Sequence, residues 1–171
     1  MNKQQTISKP VSLKGVGIHS GNEVNLTFKP ANEDFGYAFC RTDLPGKPII
    51  EADVNYVVST ERGTTLEKNG VNIQTSEHVL AALTGLEIDN VLIEIDASEP
   101  PIMDGSSKFF VEALIDAGIK VQLKDRNEYV VKEIISYHDE ESGSDITVLP
   151  ADSYEVTAMV DFGTKILGTQ N

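Results

Sequence analysis

A chain of 171 residues is long enough for one domain with a real core, or for one domain and part of another. Its composition, 40% hydrophobic and 24% charged, reads as soluble and globular, and no run approaches the roughly 18 apolar residues of a membrane span. A net charge of -13, from 14 Lys and Arg against 27 Asp and Glu, repels a phosphate backbone and argues against nucleic-acid binding.

The N-terminal "MNKQQTISKP" has no apolar core of the kind a signal peptide carries. The single cysteine, Cys40, rules out an internal disulfide framework and fits a reducing compartment, so the expected location is the cytoplasm. "GVGIHSG" reads as a Gly-rich turn between strands, and "EVNLTFKP" alternates, with Val24, Leu26 and Phe28 on one face and Asn25, Thr27 and Lys29 on the other. A helix follows Thr75-Ser76 and stops at Gly85; the two hydroxyls are expected to cap its free amides, and Glu77 suits the positive end of its dipole. "NVLIEIDA" is a strand with Val91, Ile93 and Ile95 on one face. A second helix runs from about Ser107 to Ala117, with Phe110, Ala113, Leu114 and Ala117 along its apolar side, Ser106 or Ser107 as cap and Gly118 as stop. "KDRNE" (124–128) interrupts the pattern, and "EYVVKEII", "DITVL" and "YEVTAMVDF" read as further strands, with "HDEESGSD" as a solvated acidic turn.

This order implies an α+β fold: a two-layer sandwich of a mixed sheet with two helices over residues 1–126, and the opening strands of a second α+β domain over 127–171. "SGNEVNLTFKPA" (20–31) and "SGSDITVLPA" (142–151) share a Ser-Gly turn, an acidic residue, an alternating strand and a Pro-Ala exit, so the second part reads as an incomplete second copy of the first. The expectation is a truncated chain whose last strands have no helix over them and which associates through that uncovered face.

The chemistry centres on "TSEHVLAAL". His78 sits in the first helical turn, where the dipole favours the neutral ring a metal ligand must be, and Glu77 is offset by about 100° around the axis. A zinc hydrolase divides labour in this way, with histidine on the metal and carboxylate as proton acceptor, but the spacing is not H-E-x-x-H. A first-turn acid beside a packed histidine is the plainer alternative. Of the other histidines, His19 could reach a cleft from the Gly-rich turn, and His138 lies in the acidic turn and reads as solvated. "EPPIMDGSS" reads as a strand-to-helix connector, and Asp104 has no visible partner. The residues alone supply one ligand and one base, and no complete metal site.

Taken in order and spacing, "GVGIHSG", "RTDLPG", "TSEHVLAALTGLEIDNVLIEID" and "EPPIMDGSSKFFVEALIDAGI" resemble the UDP-3-O-acyl-N-acetylglucosamine deacetylases, zinc amidases of lipid A synthesis in Gram-negative bacteria, over essentially all of the chain. The resemblance implies two domains, each a five-stranded sheet with two helices, and an active site between them. It makes His78 a ligand of Zn2+ and Glu77 the general base. The remaining ligands, a histidine and an aspartate in H-x-x-x-D, and a further assisting histidine belong to a part of the second domain absent from these residues. His19, Asp161 and Phe162 are assigned to substrate binding, the last two near the nucleotide; a basic residue that some members carry falls near Ser144. The reaction implied is hydrolysis of the 2-acetamido group of UDP-3-O-acyl-N-acetylglucosamine, with Glu77 taking the proton of the attacking water. The 171-residue chain is expected to be inactive and to bind zinc poorly. A non-catalytic binding or scaffolding module that keeps the fold is the alternative, and a fused C-terminal dehydratase domain, as some relatives have, is untouched by these residues.

Overall fold

In the computed structural model, which describes residues 2–163, 165 and 168–170, the chain divides into two compact units, Met1–Arg126 and Asn127–Asn171. The first unit opens with β1 (Lys3–Ile7), β2 (Val11–Val16), β3 (Glu23–Pro30), β4 (Tyr37–Arg41) and β5 (Ile49–Glu51). A short 3-10 turn at Val54–Tyr56 leads into β6 (Val57–Ser59), β7 (Thr65–Lys68) and β8 (Val71–Ile73). Then come α1 (Glu77–Gly85), β9 (Val91–Ile95), α2 (Lys108–Ala117) and β10 (Ile119–Asp125).

The main sheet has the order β2-β3-β9-β4-β5 and is mixed, with β9 and β4 parallel and the other neighbours antiparallel. Its registers follow from the alternation. Val24, Leu26 and Phe28 of β3 are fully buried, as are Val91, Ile93 and Ile95 of β9, and Phe28 faces Ile93 across the ladder. A slip of one residue would turn both sets to the other face. That other face carries polar pairs instead: Lys29 with Glu94 at 2.7 Å, and the hydroxyls of Ser12 and Thr27 at 2.8 Å.

Helices supply the second layer. Val79, Ala82 and Leu83 of α1, and Phe110, Leu114 and Ala117 of α2, join the buried sheet residues in one core. Phe110 meets Phe28 edge-on, with centroids 6.3 Å apart and planes at 86°. Each such side chain, fully removed from water, contributes about 1.5–3 kcal/mol. Gly118 ends α2 at φ 74, a left-handed conformation that glycine adopts without steric cost. Two smaller sheets complete the unit, the antiparallel pair β1-β10 and the meander β6-β7-β8. None of the helices among the described residues is long and apolar enough to cross a membrane.

The second unit contains β11 (Ile135–Asp139) hydrogen-bonded to β12 (Ser144–Val148), and β13 (Val160–Asp161) to β14 (Thr169–Gln170). Two expected strands are shorter than their alternation implies: of "EYVVKEII" only Ile135 is in a strand, and of "YEVTAMVDF" only Val160 and Asp161. Alternation gives a segment two faces, but a strand needs a neighbouring ladder, and among the described residues 128–134 and 154–159 join no sheet. His138 lies in β11 rather than in the acidic turn, exposed and 2.8 Å from Asp145.

Both segments of the sequence repeat lie in hairpins. Ser20-Gly21 turns the β2-β3 hairpin with Gly21 at φ 66, and Ser142-Gly143 turns the β11-β12 hairpin with Gly143 at φ 68. Each hairpin also carries one cross-strand hydroxyl pair, Ser12 with Thr27 in the first and Ser136 with Thr147 in the second. The chain is thus α+β, and in each unit a Ser-Gly segment turns an antiparallel hairpin.

Candidate active site at the start of the first helix

Thr75, at φ 51, turns the chain sharply into α1. Its hydroxyl does not cap the helix as expected; it donates to Glu99 Oε1 at 3.2 Å. Neither does Ser76, which makes no side-chain cap bond and donates through both its amide and its hydroxyl to the Thr64 carbonyl, at 3.2 and 3.0 Å. Both hydroxyls are drawn to acceptors on neighbouring segments, because Thr75 and Ser76 are themselves buried. At α2 the Ser107 hydroxyl likewise leaves its helix and donates to the His78 carbonyl at 2.9 Å, while Ser106 Oγ accepts from the Lys108 amide at 3.2 Å.

The Thr64 peptide is therefore held at both ends. Its carbonyl takes the two bonds from Ser76, and its N–H donates to Glu77 Oε2 at 2.8 Å. Glu77 thus has one oxygen fixed and the other, Oε1, turned toward Gly63 and His78. Gly63 has φ 154, which side chains rarely adopt, and a Cβ there would make a tight 3.3 Å contact with Oε1. His78 Nε2 lies 3.9 Å from Glu77 Oε1, and both side chains are about a third exposed (31% and 37%). The imidazole is open to solvent and is not sealed into the core.

His19 is reached through a buried carboxylate. Glu99 is 1% exposed and accepts from the amides of His19 and Ser20, at 3.1 and 2.9 Å, as well as from Thr75. Burial pushes the Glu99 carboxyl up, but the Ser20 and His19 amides and the Ser20 and Thr75 hydroxyls outweigh it and hold it below the ordinary carboxylate value. The glycines of "GVGIHSG" make this approach possible: a Cβ on Gly17 would stand 2.4 Å from Glu99 Oε2, and one on Gly15 2.8 Å from Pro101 Cβ. His19 then lines an open cleft of about 240 Å³ with Glu61, Arg62, Gly63, Gln74 and Thr75.

Glu77 thus stands beside Gly63, which lines the same cleft as His19, and His78 is next to Glu77. Asp161 and Phe162 lie in the second unit, both exposed; Asp161 Oδ1 accepts from the Gly163 amide at 2.9 Å, and the Phe162 amide donates to the Gly168 carbonyl at 3.2 Å. Asp104 closes a turn on the Ser106 hydroxyl and amide, whose bonds lower its carboxyl, as a connector residue would. Sequence reasoning passed over Glu99, Thr64 and Gly63. Gly63 sits in the irregular stretch "TERGTT", which signals a turn but no chemistry, and nothing in the sequence joins Glu99 to a turn 80 residues away.

A catalytic zinc needs three protein ligands around one open position. Among the described residues no three His, Cys, Asp or Glu side chains are grouped to hold a metal ion. One imidazole and one carboxylate do not by themselves fit zinc, and no step through a metal follows from them.

A family model described as UDP-3-O-acyl N-acetylglycosamine deacetylase matches residues 4–171. The chain is 46% identical over 168 residues to a "Bifunctional enzyme LpxC/FabZ" of Chlorobaculum tepidum, covering 98% of this chain and 36% of that protein. It is 43% identical over 169 residues to a UDP-3-O-acyl-N-acetylglucosamine deacetylase of Hahella chejuensis, covering 98% of this chain and 55% of the relative. To the protein of the same name from Myxococcus xanthus it is 39% identical over 168 residues, 98% of this chain and 53% of that one. The chain thus spans 36% to 55% of the length of these relatives. With a family model covering nearly every residue, this chain belongs to the UDP-3-O-acyl N-acetylglycosamine deacetylase family.

Proposed function

We propose that this chain is the N-terminal part of a zinc-dependent amidase that removes the acetyl group from UDP-3-O-acyl-N-acetylglucosamine in lipid A biosynthesis. Membership of the family supports the reaction class. The observation that carries the assignment to residues is the Glu77 carboxylate, anchored through one oxygen by the Thr64 amide with the other free beside a solvent-open His78. A fixed carboxylate with a free oxygen is suited to take a proton from an attacking water, a role worth about 10²- to 10⁴-fold in rate.

In this reading Glu77 is the general base and His78 is one ligand of a zinc ion whose other ligands lie in sequence beyond these residues. His19 contacts the substrate from the cleft edge, and Asp161 and Phe162 contact its nucleotide. Residues 1–126 form the first domain and 127–171 begin the second. A soluble, nucleotide-linked substrate and product suit a cytoplasmic enzyme.

The test is acetate release from UDP-3-O-acyl-N-acetylglucosamine by the product of the complete reading frame and by the 171-residue chain. The complete product is expected to turn over and the chain alone to be inactive. Turnover by the chain alone, abolished by a chelator, would overturn the claim that its site is partial. A complete product that binds the substrate and releases no acetate would leave a binding module instead.

A further inference from the structure

We propose that Glu99 is a positioning residue, coupling the His19 turn to the Glu77 end of α1 so that the two sides of the cleft keep a fixed relation; its part in turnover rests on the function proposed above. The connector that carries it is bonded on both flanks: the Gln74 amide donates to the Ser98 carbonyl at 2.8 Å, and the Ile102 amide to the Val16 carbonyl at 3.0 Å. Between those anchors the buried carboxylate accepts from the amides of His19 and Ser20 on one side and from the Thr75 hydroxyl on the other.

Thr75 is the sensitive end. A β-branched residue at φ 51 disfavours its own backbone conformation, and its hydroxyl bond to Glu99 helps hold it there. The turn at Thr75 aims Ser76 at Thr64, and Thr64 in turn fixes Glu77. A path therefore runs by hydrogen bonds from His19 through Glu99 to Thr75, along the backbone to Ser76, and by hydrogen bonds again through Thr64 to the catalytic carboxylate. A carboxylate is costly to bury unless it is saturated with donors. Here the donors are supplied from both sides of the cleft, and Gly17 leaves the space for it.

Two substitutions attack the same link from opposite sides. Glu99→Gln removes the charge and turns one acceptor into a donor facing N–H groups. Gly17→Ala keeps a permitted backbone but places a methyl 2.4 Å from both Glu99 Oε2 and Ser20 Oγ, crowding the link where the carboxylate meets the turn. Asn90→Ala serves as a control for stability loss. Asn90 is 1% exposed and bonds Gln4 and Gln122, neither of which lines the cleft.

In the 171-residue chain, amide hydrogen exchange is expected to show about tenfold lower protection in both cleft variants at His19 and Ser20, and also at Thr64, which Glu99 does not touch. Asn90→Ala, at matched melting temperature, should leave these amides as in wild type. In the complete gene product, kcat/KM should fall about 100-fold in each cleft variant, with no further loss in the double variant, and less than about threefold in Asn90→Ala. Unchanged protection at Thr64, or an equal loss of activity in Asn90→Ala, would overturn the coupling and leave Glu99 as a staple of the hairpin. A wild-type product without deacetylase activity would overturn the proposed function but not this coupling, which the exchange measurement decides alone.

Discussion

Replacing Glu77 by glutamine and by alanine separates its chemical role from its structural one. The carboxylate makes one bond to the protein backbone, from the Thr64 amide at 2.8 Å, and stands in the first turn of α1. A hydrogen bond to a charged acceptor contributes about 1.5–3 kcal/mol, and with the side chain 37% exposed, water can replace part of it, so the low end applies. A negative charge at a helix start adds about 0.3–1 kcal/mol. Alanine, a strong helix former, loses both contributions and should destabilise the chain by about 2 kcal/mol. Glutamine keeps an oxygen for the Thr64 amide and loses mainly the charge term, for a cost of about 0.5–1 kcal/mol. The assay is urea unfolding of the 171-residue chain followed by circular dichroism. A glutamine variant as unstable as the alanine variant, or an alanine variant within about 0.5 kcal/mol of wild type, would refute the Thr64 anchor.

Phe110→Ala should cost about 3–5 kcal/mol in the same assay, since its ring is fully buried against Phe28, whereas its sequence neighbour Phe109, 37% exposed, should cost about 1 kcal/mol or less. The Arg41 guanidinium, bonded to Asp43 at 2.9 and 2.8 Å, holds the Asp43 carboxyl below its ordinary value despite partial burial. Because that pKa is depressed in the folded state, the stabilisation is complete above the unfolded value of about 4 and is lost as pH falls through the folded one. Asp43→Asn should therefore cost about 1–2 kcal/mol at pH 7 and progressively less below about pH 4, as read from urea midpoints at both. Ile135, Tyr137, Ile146 and Val148 lie on one face of the β11-β12 hairpin and are 40% to 63% exposed. Sedimentation should show concentration-dependent self-association that the double variant Tyr137→Ser, Ile146→Ser abolishes; an unchanged association would place the contact elsewhere.

Period-2 alternation made β3, β9 and β12 legible, because each has one face buried or apolar and a partner to complete its ladder. Both helices were legible from their apolar spacing and glycine stops. The same alternation overstated "EYVVKEII" and "YEVTAMVDF", where the pattern is present but residues 128–134 and 154–159 pair with no strand among the described residues. The β7-β8 hairpin had a readable signal in Asn69-Gly70, both at positive φ (53 and 76), the dipeptide that suits a two-residue hairpin turn. The β1-β10 pair had none, since it joins Lys3 to Asp125 and neither strand announces its partner. At the site, Glu77 and His78 stood out as a carboxylate beside an imidazole at a helix start. The bonds around them, from Ser76 to Thr64, from Thr64 to Glu77 and from the His19 turn to Glu99, join segments 12 to 80 residues apart and exist only in the fold.

The most direct test of the assignment of Glu77 and His78 measures zinc content and acetate release together in the complete gene product, for wild type, Glu77→Gln and His78→Ala. The expected result is one bound zinc in wild type, the same zinc in Glu77→Gln with kcat lowered about 10²- to 10⁴-fold, and loss of both zinc and activity in His78→Ala. A His78→Ala product that keeps its zinc and turns over at the wild-type rate would contradict the account.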